Sequence, residues 1–97
     1  MSNGVDFTDK FEPVRLAGLG PAELSLLLKV SRVTASLWLN GRRRPHLLLE
    51  ERVDRLLRAV EEALADGDLP LSHDIPRRER AWHLRRVLVA RMESAQL

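Results

Sequence analysis

The sequence predicts an all-α fold, a compact bundle of about five helices. Apolar residues recur at three- and four-residue spacing along most of the 97 residues, and no stretch alternates apolar and polar residues as a half-buried strand does. Glycine and proline separate these periodic segments. The length suits one small domain, and because the chain has no cysteine, its fold depends on packing rather than on disulfides.

The first helix is expected to end near Gly18 or Gly20, since glycine favours the end of a helix. Its start has two alternatives. Either Thr8 or Asp9 caps the helix, or the helix begins at Pro13, because proline suits a first turn. The apolar residues expected to cover the second and third helices are Phe11, Val14 and Leu19.

A second helix is predicted over about residues 21–28. Gly20 is its candidate N-cap, Pro21 suits its first position, and Glu23 suits the positive end of the helix dipole. The apolar residues that line one face of this helix are Leu24, Leu27 and Leu28.

A third, short helix follows a hinge at residues 29–31, and the Ser31 hydroxyl is its candidate cap. Ala35 and Trp38 share the face expected to meet the core, so Trp38 is interpreted as a core residue. The second and third helices together are predicted to form a helix-turn-helix.

The fourth helix is predicted over about residues 47–65, after Pro45 and before a stop at Gly67. Its expected core face contains Leu49, Val53, Leu56, Leu57, Val60 and Leu64. Its solvated face carries opposite charges at four-residue spacing, which predicts the pairs Glu51–Arg55, Asp54–Arg58 and Arg58–Glu62.

A connector at residues 69–76 leads to a last helix over about residues 77–94. One apolar stripe of this helix contains Ala81, Leu84, Leu88 and Met92. Trp82 and Val89 form a second apolar facet, for which two interpretations stay open. The facet binds a second copy of the chain, or both facets wrap a small core.

Charge is unevenly distributed along the chain, although the net charge is only +2. Residues 29–46 contain five basic residues and no acid, whereas residues 47–68 contain seven acids against three arginines. A local excess of this kind is typical of a surface that binds a polyanion.

Several classes of function are disfavoured. No apolar run is long enough to span a membrane, and the start of the chain lacks the pattern of a secretion signal, which favours a cytoplasmic protein. We find no nucleophile with an obvious base, no carboxylate cluster and no glycine-rich phosphate loop, so we expect no enzyme and no cofactor or metal. Glu79 and His83 are interpreted as a surface pair.

The run LLKVSRVTASLWLNGRRRP, Leu27–Pro45, resembles the lambda-repressor-like helix-turn-helix family, the Cro and Xre type. The serine cap, the tryptophan, the Asn-Gly pair and the basic turn occur together in the order typical of that family. With the flanking helices, the resemblance covers about residues 11–65, and residues beyond 66 resemble nothing we recognise.

The resemblance implies that the third helix lies in the major groove of duplex DNA and that the following turn contacts phosphates. Carried over by position, the groove-facing residues are Ser31, Arg32, Val33, Ser36 and Leu37, and the phosphate-contacting residues are Asn40, the backbone amide of Gly41, Arg42, Arg43 and Arg44. Arg32 is the expected base reader, because its guanidinium can bond guanine O6 and N7 together.

The chain departs from the family pattern at three places. Lys29 replaces the glycine of the turn, so it either adopts a left-handed backbone conformation or forces a different turn. Pro21 replaces a glutamine that often contacts phosphate. Leu37 and Leu39 replace polar residues, which keeps a second hypothesis open. In it, the chain is a protein-interaction module of antitoxin-like or inhibitory type, and Leu37 and Leu39 on the surface of the third helix, with the last helix, bind protein rather than DNA.

Our leading hypothesis from the sequence is a cytoplasmic, homodimeric transcriptional repressor or regulator that binds an inverted-repeat operator in double-stranded DNA. Residues 1–68 are expected to form the DNA-binding domain. Residues 69–97 are expected to form the connector and a helix that packs on that domain or makes the dimer interface.

Overall fold

The computed structural model describes residues 10–94, and this part of the chain contains five α-helices and no β-strand. The helices are α1 (Glu12–Leu16), α2 (Pro21–Leu28), α3 (Arg32–Leu39), α4 (Leu47–Asp66) and α5 (Arg77–Ser94). The all-α prediction is therefore confirmed. No helix in this part of the chain is long and apolar enough to cross a membrane.

The helix ends follow the local sequence signals. α1 begins at Glu12 with Pro13 in its first turn, while the alternative caps Thr8 and Asp9 lie outside the described residues. At the start of α2, the Gly20 amide donates to Glu23 Oε1 at 2.7 Å, which satisfies a backbone donor that the helix itself leaves open.

One apolar core joins all five helices. α2 packs on α3, and the long α4 contacts both α1 and α5. Phe11 stacks on Trp38 with ring centroids 6.4 Å apart, and Trp38 is only 1% exposed, as predicted. The remaining fully buried large side chains are Val14, Leu24, Leu28, Val53, Leu56, Val60 and Leu88.

The last helix is held to α4 by apolar and ionic contacts. Leu84 and Leu88 belong to the core, and Leu69 and Leu71 anchor the connector. Arg91 donates to Asp66 at 2.9 Å and to Asp68 at 2.6 Å. The hydrogen bond to Asp66, with a further one to Asp68, raises the pKa of Arg91. Arg91 therefore stays protonated, and keeps these ion pairs, until the solution is strongly alkaline.

The ionic contacts of α4 differ from those predicted by spacing alone. Glu51 pairs with Arg55 at 2.7 Å as expected. Asp54, however, pairs with Lys10 at 3.1 Å, and Glu62 lies 3.5 Å from Arg91. Partners supplied by the tertiary fold therefore engage two of the acids that were expected to bond along the helix.

Candidate nucleic-acid interface

The turn between α2 and α3 is closed by a residue in the left-handed conformation. Lys29 has φ 58° and ψ 46°, the conformation that glycine adopts most easily, so the first of the two alternatives for this residue holds. Ser25 Oγ donates to the Val30 carbonyl at 2.6 Å, and Arg52 Nη1 donates to the Leu28 carbonyl at 3.2 Å. These bonds fix the end of α2 and therefore the direction in which α3 leaves it.

α3 presents two contrasting faces. Ala35 and Trp38 are buried on its inner face. Arg32 and Val33 are exposed on the opposite side, and Val33 is 70% exposed. Ser31 Oγ accepts the Thr34 amide at 3.0 Å, so this hydroxyl caps α3 as predicted while staying at the protein surface.

The end of α3 closes with a Schellman motif. Gly41 has φ 72°, its amide donates to the Trp38 carbonyl at 3.1 Å, and the Arg42 amide donates to the Leu37 carbonyl at 2.8 Å. The Gly41 amide, which was expected to contact a phosphate, is therefore engaged inside the protein. Asn40 is exposed, and its Nδ2 lies 3.4 Å from Ser36 Oγ.

The ten residues singled out from the sequence lie on one side of α3 and on the turn that follows it, and none is buried. The half-buried ones are Ser36 and Leu37, and the exposed ones are Ser31, Arg32, Val33, Asn40, Gly41, Arg42, Arg43 and Arg44. We call these ten residues the α3 surface. Within the described residues, no hydrogen bond or ion pair engages the guanidinium groups of Arg32, Arg42 and Arg43.

The arginine turn meets the start of α4 at a groove of about 250 Å³. The residues that line it are Thr34, Trp38, Arg43, Arg44, His46 and Leu49. His46 Nδ1 accepts the Leu48 amide at 3.1 Å, which leaves the other ring nitrogen as a donor. The groove therefore combines two arginines and a histidine N–H donor with the positive end of a long helix.

The structure shows where two apolar side chains, Leu39 and Trp82, lie relative to the core. Leu39, expected with Leu37 on the outer surface of α3, packs against the core instead. Trp82 is 56% exposed, so it does not wrap the core, and Arg86 lies 4.9 Å above its ring. Within the second facet of the last helix, Trp82 therefore lies at the surface, whereas Val89 is half-buried.

Sequence reasoning missed two positioning residues, Arg15 and Arg52. Arg15 Nη2 donates to the Leu39 carbonyl at 2.8 Å, as Arg52 does to the end of α2. Both bonds satisfy carbonyls that a helix leaves open at its C-terminus. Each bond spans 24 residues, so no local pattern could have indicated it.

No family model, curated protein or solved structure matches this chain. Among the described residues, no group of three or more histidine, aspartate or glutamate side chains is arranged to hold a metal ion.

Proposed function

We propose that the protein is a sequence-specific transcription regulator that inserts α3 into the major groove of duplex DNA. The observation that carries the proposal is the α3 surface, a helix face and turn with four exposed arginines and no acid. The resemblance to Cro and Xre regulators at Leu27–Pro45 supports the same proposal.

Within this surface, we assign specificity and affinity to different residues. Arg32 lies in the first turn of α3, where a docked helix meets base edges, and its planar guanidinium suits guanine. Arg42, Arg43 and Arg44 follow the helix and bind phosphates, which adds strength without sequence information. Val33 is placed to contact a thymine methyl group.

The test is selection of duplexes from a random-sequence pool by the purified protein. Enrichment of one motif supports the proposal, and an inverted repeat supports binding as a dimer. Failure to bind any duplex at low salt contradicts it, because phosphate contacts are strongest under that condition.

Replacing Arg43 with alanine sharpens this test. Because a phosphate contact is blind to sequence, affinity should fall alike for selected and unselected duplexes, and the slope of log affinity against log salt should lose about one unit. Arg58→Ala is the matched control, since Arg58 is an exposed arginine on α4. Equal effects of the two substitutions would refute the assignment of Arg43.

A homodimer is part of the proposal, because two linked modules bind an inverted repeat with a high effective concentration. The exposed Trp82, rather than the half-buried Val89 of the same facet, is the proposed contact between copies. Sedimentation of the wild type and of Trp82→Ala tests it: a dimer that becomes a monomer is expected, and identical sedimentation of the two proteins would contradict it. Removal of all of α5 is a poorer test, because Leu84 and Leu88 belong to the core.

A second candidate is a protein-interaction module, which the exposed Trp82 and the exposed pair Leu47 and Leu48 favour. In that case, the same duplex pool would yield no enriched motif. The protein would then bind a partner through these exposed residues rather than through Leu39, which packs against the core.

A further inference from the structure

A second groove lies on the part of the molecule where the end of α2, the middle of α4 and the end of α5 meet. Its volume is about 270 Å³. The residues that give it its character are Leu27, Lys29, Arg52, Arg55, Val89 and Met92. None of these belongs to the α3 surface, so the groove is a separate feature of the molecule.

We propose that this groove binds a small amphiphilic anion, with a carboxylate head and an apolar tail. Three cations line the groove together with three apolar side chains. Ligand sites typically combine an apolar lining with a few polar groups that fix orientation. The volume lies just below the usual range for drug-sized ligands, which indicates a small molecule rather than a large cofactor.

The head group binds at Lys29 and Arg52. Arg55 already pairs with Glu51 at 2.7 Å, and Arg52 donates a hydrogen bond from one of its nitrogens, Nη1, to the Leu28 carbonyl. Among residues 10–94, no hydrogen bond or ion pair engages the Lys29 ammonium. Lys29 is therefore the cation most open to a ligand, and the remaining donors of Arg52 complete the contact.

The tail lies along Leu27, Val89 and Met92, which are all half-buried. Covering them removes apolar surface from water and gives the tail its affinity. Glu93 also lines the groove and opposes a doubly negative head, so a carboxylate is favoured over a phosphate dianion.

A ligand in this groove would contact the turn between α2 and α3, because Lys29 forms that turn and Arg52 bonds the end of α2. The binding site itself does not depend on whether α3 contacts DNA. Binding is therefore measured without DNA.

The experiment titrates isotope-labelled protein with sodium octanoate, below the concentration at which it forms micelles, and follows backbone amide signals by NMR. We expect saturable shifts at Lys29, Arg52 and Val89. Acetate, which lacks the tail, and octanol, which lacks the charge, should each bind at least about tenfold more weakly. Equal affinity for octanol and octanoate, or no saturation with octanoate, would overturn the proposal.

Lys29→Gly removes the ammonium and keeps a residue that accepts the left-handed conformation. Octanoate affinity should fall about tenfold, whereas Arg58→Gln should leave it unchanged. The dispersion of the backbone amide signals verifies that each variant is folded. If Lys29→Gly does not fold, Lys29→Asn takes its place, because asparagine also accepts the left-handed conformation. Unchanged affinity in the folded variant would refute the site. Saturation of the same amides by an acidic amphipathic peptide but not by octanoate would assign the groove to a protein partner instead.

Discussion

The helix junctions and the α3 surface use arginine in opposite ways. At the junctions, Arg15 and Arg52 donate to the last carbonyls of α3 and α2, and Arg91 bonds Asp66 and Asp68. These arginines connect segments that are far apart in the sequence. Their positive charges are already engaged by acceptors of the protein itself.

On the α3 surface, the guanidinium groups of Arg32, Arg42 and Arg43 meet no hydrogen-bond or ion-pair partner within residues 10–94. An exposed charge without a partner adds little to stability. Such arginines keep all five donors for a ligand. Whether an arginine is bonded within the protein therefore distinguishes the arginines that connect helices from those whose donors stay available to a ligand.

Arg32→Ala should have the greatest effect on DNA binding and none on folding, because Arg32 belongs to the α3 surface and meets no partner within residues 10–94. Loss of the bidentate contact should cost about 1–3 kcal/mol of binding free energy at one base position only. Competition binding with single-base variants of a selected duplex measures it. The free energy of unfolding should stay unchanged, and a uniform loss on all duplexes would mean that Arg32 contacts phosphate.

Arg52→Ala should show the opposite behaviour. Removing the donor to the Leu28 carbonyl should lower the free energy of unfolding by about 1 kcal/mol in urea titrations. Base preference should be retained, because Arg52 lies outside the α3 surface. Arg58→Ala on the same helix is the control, and an equally large loss there would show that the carbonyl bond is not the cause.

Ser31→Ala tests the cap of α3. Loss of the hydroxyl that accepts the Thr34 amide should destabilise the protein by about 1 kcal/mol in thermal or urea unfolding. Ser31→Asp is the matched variant, since aspartate also caps a helix and should restore stability. If alanine and aspartate gave the same stability, the cap would contribute nothing.

Lys29→Gly is expected to change the free energy of unfolding least, and to raise it, whereas Arg52→Ala and Ser31→Ala lower it. Relief of the left-handed conformation should stabilise the fold by roughly 0.5 kcal/mol, because the gain is partly offset by the greater freedom of glycine in the unfolded chain. Urea unfolding measures it, with Lys29→Ala as a control that keeps the strain. A destabilised glycine variant would show that the lysine side chain supports the turn.

Local rules predicted much of the fold from sequence. Pro21 starts α2, Ser31 caps α3, and Gly67 ends α4 with φ 83°, all as expected. These signals depend on backbone chemistry within a few residues, which sequence displays directly.

Contacts between distant segments could not be predicted in the same way. Helical spacing correctly predicted the Glu51–Arg55 pair along α4, but Asp54 pairs with Lys10 from another segment. Leu39 stands where the resembled family has a polar residue, but it packs against the core, as an apolar side chain prefers. Helical spacing therefore indicated which residues of α3 stay out of the core, but it could not indicate Arg15 and Arg52, which bond the ends of α3 and α2.

Whether α3 is the DNA-binding helix is tested by NMR mapping of isotope-labelled protein during titration with a short DNA duplex. The largest amide shifts are expected from Ser31 to Arg44, with little change at the exposed face of α5 around Trp82. Shifts centred on Trp82, or no saturable shift at low salt, would contradict the proposal that α3 is the DNA-binding helix.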